Sequence, residues 1–466
     1  MRHDRNYRKY VLACLMAGLS LGPWIAEPTH AGTKPLEGTY PPIKAGKPYA
    51  GQTVRLAMQA GWTAFKQVLD RLSEFEEMTG IRVVVDSVPA SDMQRKQLIE
   101  VSQSTGTYSL VAGNANEFRA FDKWTIPLTP YVNETWGDPE KFMGFLWPIH
   151  RDTLVGGQIH YVAFHANTQL GFYYKKPFTD PKNKASFKAK YGYDLEIPSS
   201  LSQVQDIANF FTGGGKYGFT ANWGGGGPGY ISWVDYYMKS TGTRLIDDGF
   251  NVTFSQGKNR EVAIRVAAFQ QDALHKAKFA NPDTVTFNTG MVADYFMSGK
   301  AVMAYGWLTD YWPQMQRPEF RAEHGEVGAF PFPPLDPAIR AGGYVSWWNI
   351  GIPKDSKSPG AAWEFIKWLL NDKQQRPMAT VGGQLPPIPE MAAKFANQGV
   401  IPRAQYDSFV AAKRLWITIP EQALELRSKG VELHSAMLAN KISPEEFVDR
   451  FARETEGLIK QRGYKK

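Results

Sequence analysis

"TVRLAMQAGWTAFKQVLDRLSEFEEMTGIRVVVDSVPASDMQRKQLIEV", residues 53–101, alternates two strand signals with two helix signals. Val54, Leu56 and Met58 recur at every second position, as in a strand with one buried face. Phe65, Val68, Leu69, Leu72 and Phe75 then fall on one helical face, which Gly80 ends. "IRVVV" is a continuous β-branched run, the pattern of a strand buried on both faces. "SDMQRKQLIEV" opens a second helix with Ser91 and Gln94 in capping-box register. Strand, helix, strand, helix predicts an α/β fold whose sheet is mainly parallel and flanked by helices.

The same grammar recurs further along. Helices are predicted in "SSLSQVQDIANFF" (199–211), in "KNREVAIRVAAFQQDAL" (258–274) and in "SPGAAWEFIKWLL" (358–370), where Ser358 caps and Pro359 takes the first helical position. "SPEEFVDRFARETEGLIKQRG" (443–463) repeats the device, with Ser443 and Glu446 as the box and Gly463 as the stop. The glycines at 224–227, followed by Pro228-Gly229, form a loop between patterned segments rather than a linker. No internal repeat is present. With 466 residues, 43% hydrophobic and 21% charged, the chain exceeds one compact domain, and two lobes are expected. Lys and Arg number 53 against 45 Asp and Glu, a net +8, yet no basic run of the kind found in nucleic-acid arms occurs.

At the N-terminus, "MRHDRNYRK" is a positive head, Tyr10 to Ala26 is uncharged, and Thr29 and Ala31 stand at the spacing read by signal peptidase. Residues 1–31 therefore read as a signal peptide and 32–49 as a Pro-rich leader, with a periplasmic mature protein beginning at Gly32. Gly22-Pro23 interrupts the run, which argues against an uncleaved anchor, and no later segment is apolar enough to span a bilayer. The apolar run continues past "VLAC", which argues against lipidation of Cys14. Cys14 is the chain's one cysteine, so the exported protein must rest on core burial without disulfides.

Five segments together resemble the extracellular solute-binding proteins of ATP-driven importers, in particular the sugar-binding group that includes maltose-binding protein. "FEEMTGIRVVVDSVPASDMQRKQL" (75–98) is similar to that family's opening helix, strand and loop. "GGQIHYVAFHANTQLGFYYKKPF" (156–178) resembles its first crossing between lobes, with "YYKK" where "YYNK" is usual. "YFMSGKAVMAYGW" (295–307) resembles its "F..GkaAM" signature, although Trp307 stands nearer Met303 than the family's Trp usually does. "VGAFPFPP" with "GGYVSWWNIGIPKDSKSPGAAWEFIKWLL" is similar to the second crossing and its helix, and "ANKISPEEFVDRFARE" to the closing helix. The resemblance implies the two-lobed periplasmic-binding-protein fold of type II, with the ligand cleft at the hinge. Lobe 1 would comprise 50–163 and 329–385, and lobe 2 would comprise 164–328 and 386–466. It also implies a monomer that binds, closes and is recognised by a membrane permease served by a separate ATPase. No cofactor is expected.

A sugar presents hydroxyls and apolar ring faces, so its cleft needs flat aromatics and planar amides or carboxylates. Aromatics make up 13% of the chain, and Trp62, Trp223, Trp307, Trp347, Trp348 and Trp416 fall at predicted strand ends or loops. Trp363 and Trp368 lie among apolar helical neighbours and read as core. One of Trp347 and Trp348 should face the cleft and the other the core, and alternation alone leaves open which. Asn114 and Asn116 follow the strand "YSLV", where the family often places a hydrogen-bonding Asp or Asn; Gln384 lies in a loop after a helix, and His165 at the first crossing. Asp310 is a lesser candidate.

An enzyme is the competing class. No G-x-S-x-G or H-E-x-x-H occurs, and "TGGGKYG" has Tyr217 where a phosphate loop needs Ser or Thr. His160 and His165 alternate onto opposite faces of a strand, against a shared metal. No local pattern singles out a glycosidase carboxylate pair. A polyol, a sugar phosphate or a polyamine remains open as alternative cargo on the same fold.

Overall fold

The computed structural model describes residues 44, 46–138, 154–224, 227–247, 249–339, 342–411 and 423–463. The predicted signal peptide and most of the leader lie outside this set. Ten strands organise the rest: β1 (Thr53–Gln59), β2 (Arg82–Val88), β3 (Val111–Asn114), β4 (Leu154–Val155), β5 (Gln158–Ile159), β6 (Val162–Tyr174), β7 (Tyr217–Ala221), β8 (Ala301–Trp307), β9 (Val327–Phe330) and β10 (Val345–Gly351).

The thirteen-residue β6 is the spine of the molecule. Its first half pairs antiparallel with β10, which pairs antiparallel with β3 on its other side. The second half of β6 pairs antiparallel with β8 and with β9. Of the ladders between named strands only β1 with β2 and β7 with β8 are parallel and the other five are antiparallel, so the sheets are mixed rather than mainly parallel as expected; a parallel bridge from Leu56 to Leu110 joins β1 to the strand leading into β3. One strand thus runs from one lobe into the other.

Each lobe buries its own core. Around β1 and β3 lie Leu56, Phe65, Phe75, Val111 and Phe118, with Trp363 and Trp368 buried as expected. Every such large side chain removed from water contributes roughly 1.5–3 kcal/mol. The second lobe carries helices on both faces of its sheet. One face packs Leu170, Phe172 and Tyr174 against Phe296, Tyr311 and Phe320. The other packs Met303 and Tyr305 against the helices Leu201–Phe211, Pro228–Thr241 and Gly257–His275. The C-terminal helices Ala423–Leu438 and Pro444–Gln461 add Leu433, Phe447 and Phe451 to that second core. The adjacent Tyr173 and Tyr174 divide between the two faces, Tyr173 against Phe178 and Phe330, Tyr174 against Phe296, so both pack rather than converge.

Local expectations and structure differ at four places. The single helix read from Phe65 to Phe75 is two, Thr63–Leu69 and Leu72–Thr79, and the break at Asp70-Arg71 leaves Leu69 exposed. Among the described residues β2 is an edge strand paired only to β1, and of "IRVVV" only Ile81 and Val83 are buried. The helix after β2 begins at Ala90 behind Pro89, one residue ahead of the expected Ser91 cap. Ser358 stands at the predicted N-cap position, but its hydroxyl is drawn away to the Thr53 carbonyl at 2.8 Å. Ser443 does cap, accepting from the Glu446 N–H at 3.0 Å.

Candidate functional site

Register decides which side chains share a face. Residues directly opposite in an antiparallel ladder project to the same side, and successive residues alternate. Asn114 is opposite Trp348, Trp348 opposite His165, and Ser346 opposite Asn167; four residues further along β6, Gln169 is opposite Trp307. The register shift in the β10 pairing falls between Trp348 and Asn349, so the ladder from His165 to Gln169 is regular. All seven side chains therefore form one row across β3, β10, β6 and β8. His165 and Gln169 stand about 13 Å apart along the strand.

At the first-lobe end of the row the indole of Trp62, which stands at the N-cap of its helix, lies over Trp348. Their ring centroids are 4.4 Å apart at 29°. His165 closes the stack, its ring 4.9 Å from that of Trp62. Both indoles are partly exposed, whereas Trp347, on the opposite face beside Ala166, is buried. The adjacent pair thus splits, with Trp348 on the row. Burial pushes the His165 imidazole down to about 3, so it is neutral across the physiological range. Its Nδ1 lies 3.1 Å from the Ala166 carbonyl, and Nε2 has no partner among the described residues.

Polar groups fill the middle. Asn114 donates from Nδ2 to Ser346 Oγ at 2.6 Å, and Asn167 donates to Thr309 Oγ1 at 2.9 Å. At the second-lobe end, Trp307 is partly exposed at the end of β8 and meets Tyr344 edge to face, 5.6 Å between centroids. Beyond it, in the first turn of the helix Leu308–Met315, lies Asp310. Its Oδ2 is enclosed without a partner among the described residues, and burial raises its carboxyl to about 7.

The remaining candidates are not among those seven side chains. Trp223 is packed in the second-lobe core against Phe219 and Phe269 and is 2% exposed, two residues after β7 ends at Ala221. Gln384 is fully buried one residue before Leu385, which pairs with Ala166 of β6, and its amide has no partner among the described residues. Asn116 lies in the short helix Ala115–Phe118 immediately after β3. Trp416 falls outside the described residues. His160 and His165 do not meet, since His160 bonds Thr125 Oγ1 at 3.1 Å.

The residues that sequence reasoning missed are Ser346, Asn167, Gln169, Thr309 and Tyr344. Asn167 and Gln169 follow His165 at every second position of "FHANTQL", and Ser346 stands two before Trp348 in "YVSWW", a period-two signal that was present once the strand was placed. An open groove of about 420 Å³ that includes Tyr173, Phe178 and Ile197 shares no residue with the row.

The chain is similar to several solved structures. The maltose-bound MalE3 of T. maritima is 19% identical with a TM-score of 0.71, over 87% of this chain and 99% of that one. A solute-binding protein of an ABC transporter from Agrobacterium radiobacter, in complex with ribitol, is 20% identical with a TM-score of 0.68, over 88% and 99%. The GacH receptor of Streptomyces glaucescens, solved unliganded and with acarbose, is 18% identical with a TM-score of 0.70, over 88% and 98%. These likenesses establish the two-lobed periplasmic-binding-protein architecture. The family model for the bacterial extracellular solute-binding protein matches residues 57–376, from β1 into the helix Asp372–Thr380, and the chain belongs to that family.

Proposed function

We propose that the protein is the substrate-binding component of an ABC importer and captures a neutral sugar or polyol on the row from Trp62 to Trp307. The observation that carries this reading is the composition of the row. Stacked, partly exposed indoles at one end and an indole at the other offer surface to C–H faces, while side-chain amides and hydroxyls between them match a ligand whose every polar group both donates and accepts. The row holds no charged side chain, and its one imidazole is neutral. A polyamine would need carboxylates there and a sugar phosphate a guanidinium or ammonium, so neutral cargo is favoured over both.

In this reading the ligand touches residues of both lobes, lobe 1 as 50–163 with 329–385 and lobe 2 as 164–328 with 386–466. Only the closed form makes both sets of contacts, so binding shifts the population toward closure. The closed monomer is what a membrane permease recognises, and a separate ATPase supplies the energy. The ligand leaves chemically unchanged, as suits a family of binding proteins. Export through a signal peptide cleaved after Ala31 would place the protein in the periplasm, and no helix of the described residues is long and apolar enough to cross a membrane. A thermal-shift screen of residues 32–466 against mono- and oligosaccharides, polyols, sugar phosphates and polyamines tests the reading. A ligand at 100 times its Kd adds about 2.7 kcal/mol. A saturable shift with one neutral class supports it; a shift only with phosphates or polyamines, or consumption of the sugar, overturns it.

A further inference from the structure

Behind the row, on the same face of the second-lobe sheet, lies a buried ion pair that the binding reading does not use. Lys239 Nζ is 2.7 Å from Asp235 Oδ2, one helical turn apart on Pro228–Thr241, and both side chains are at most 5% exposed. Asp235 also accepts from the backbone N–H of Tyr344 at 2.6 Å and from the phenol of Tyr305, whose oxygen touches the Gln169 amide as well. Three donors on one buried carboxylate come from three different chain segments. They are the helix itself, β8, and the segment that carries the chain back toward β10.

Hydrogen-bond bookkeeping orders this cluster. A phenol has one proton, and of its two neighbours the carboxylate is the stronger acceptor. Burial, reinforced by Asp235, pushes the Tyr305 hydroxyl well above the usual phenol range, so that proton is always present. In the structure Gln169 Oε1 faces that oxygen and Nε2 is without a partner among the described residues; turning the amide over gives the phenol a donor, and the chain from Gln169 through Tyr305 to Asp235 then has a single direction. Gly343 supplies an independent sign that the junction is built. A Cβ there would fall within the van der Waals shell of Asp235 Oδ1 and against Lys239 Cε, so only glycine lets the returning segment lie on the ion pair.

We propose that Asp235 is a positioning residue of the cleft, fixing both crossing segments, β6 through Tyr305 and Gln169 and the return segment through the Tyr344 N–H, to the second lobe. It thereby sets where the Trp307–Tyr344 wall stands and from which geometry the lobes close. The proposal rests on the binding-and-closure reading above. A buried pair kept for packing alone would be replaceable by apolar side chains at little cost. A positioning pair is not.

The test is the distance between lobes, measured in residues 32–466, which contain no cysteine, with spin labels at the exposed positions Arg95 and Arg265 (R95C and R265C). Three variants are compared with the parent: Asp235→Asn, which removes the charge; Gly343→Ala, which lifts the return segment; and Tyr305→Phe, which removes one donor and is the variant least prone to misfold. Distances are taken without ligand and with maltose or D-mannitol as probes. We expect the ligand-free distribution to shift or broaden in Gly343→Ala and Tyr305→Phe while melting stays cooperative, and affinity for whichever probe the parent binds to fall at least about tenfold. Parent-like distributions in both, with only the Tm lowered, overturn the positioning role and leave the binding reading intact. A parent that binds no sugar or polyol overturns the binding reading, while the ligand-free distributions still decide the anchor.

Discussion

Trp62 and Trp348 come from distant parts of the sequence, and their rings stack 4.4 Å apart with the neutral His165 against them. Both indoles are partly exposed. Their cost to folding and their use in binding can be separated. Trp348→Ala and Trp62→Ala should each weaken sugar binding by about tenfold or more, which is about 1.4 kcal/mol, a magnitude in keeping with one aromatic contact. Calorimetric titration reads the loss; unchanged affinity in both variants would place the ligand elsewhere.

Trp223 is the contrasting case. Buried in the second-lobe core, it should cost about 3–5 kcal/mol on truncation to alanine, as large aromatic deletions do. Denaturant unfolding measures this directly. A loss under 1 kcal/mol would mean that the site collapses or that the indole is not packed as described.

Acid stability follows from two buried imidazoles. His165 and His434 are both held down to about 3 by burial, far below the ordinary value of 6.5. The unfolded chain binds these protons first, so stability is fully present above about pH 6.5 and falls as the pH drops toward 3, by at most about 1.4 kcal/mol per unit for each group. His434, whose Nε2 lies 2.9 Å from Gln270 Oε1, is away from the row. His434→Gln should therefore flatten the slope between pH 6 and 4 without touching ligand affinity; an unaltered slope would show that other groups dominate.

The closing helix offers a smaller and cleaner measurement. Ser443→Ala removes the cap on Pro444–Gln461 and should cost about 1 kcal/mol. For a unit of this size that is about 2–4 °C in Tm.

Much of this fold could be read in the sequence because it is written in local periodicity. The strand at Ala301–Trp307, the turn at Gly299 and the capped C-terminal helix all depend on neighbours a few residues away. What could not be read depends on pairing between distant segments. "IRVVV" looks like an interior strand, and only its place at the edge of β1 makes it half-exposed. Trp347 and Trp348 are equivalent until β10 is laid against β6, and Ser346, Asn167 and Gln169 become one surface only in that register. Trp223 shows the converse. A tryptophan ahead of a glycine loop reads as exposed, yet the second-lobe core is wide enough to take it in.

The regular ladder between His165 and Gln169 also limits how such a protein can change its diet. Removing or adding a single residue there would rotate the second half of β6 to the other side of the sheet, exchanging the Gln169 row for the Thr168 and Leu170 face that belongs to the opposite core. Descendants of this chain are thus free to swap side chains along the row or to lengthen the loops at its ends. The four-residue interval of the spine itself is closed to insertion, so new specificities must arise on a fixed ruler.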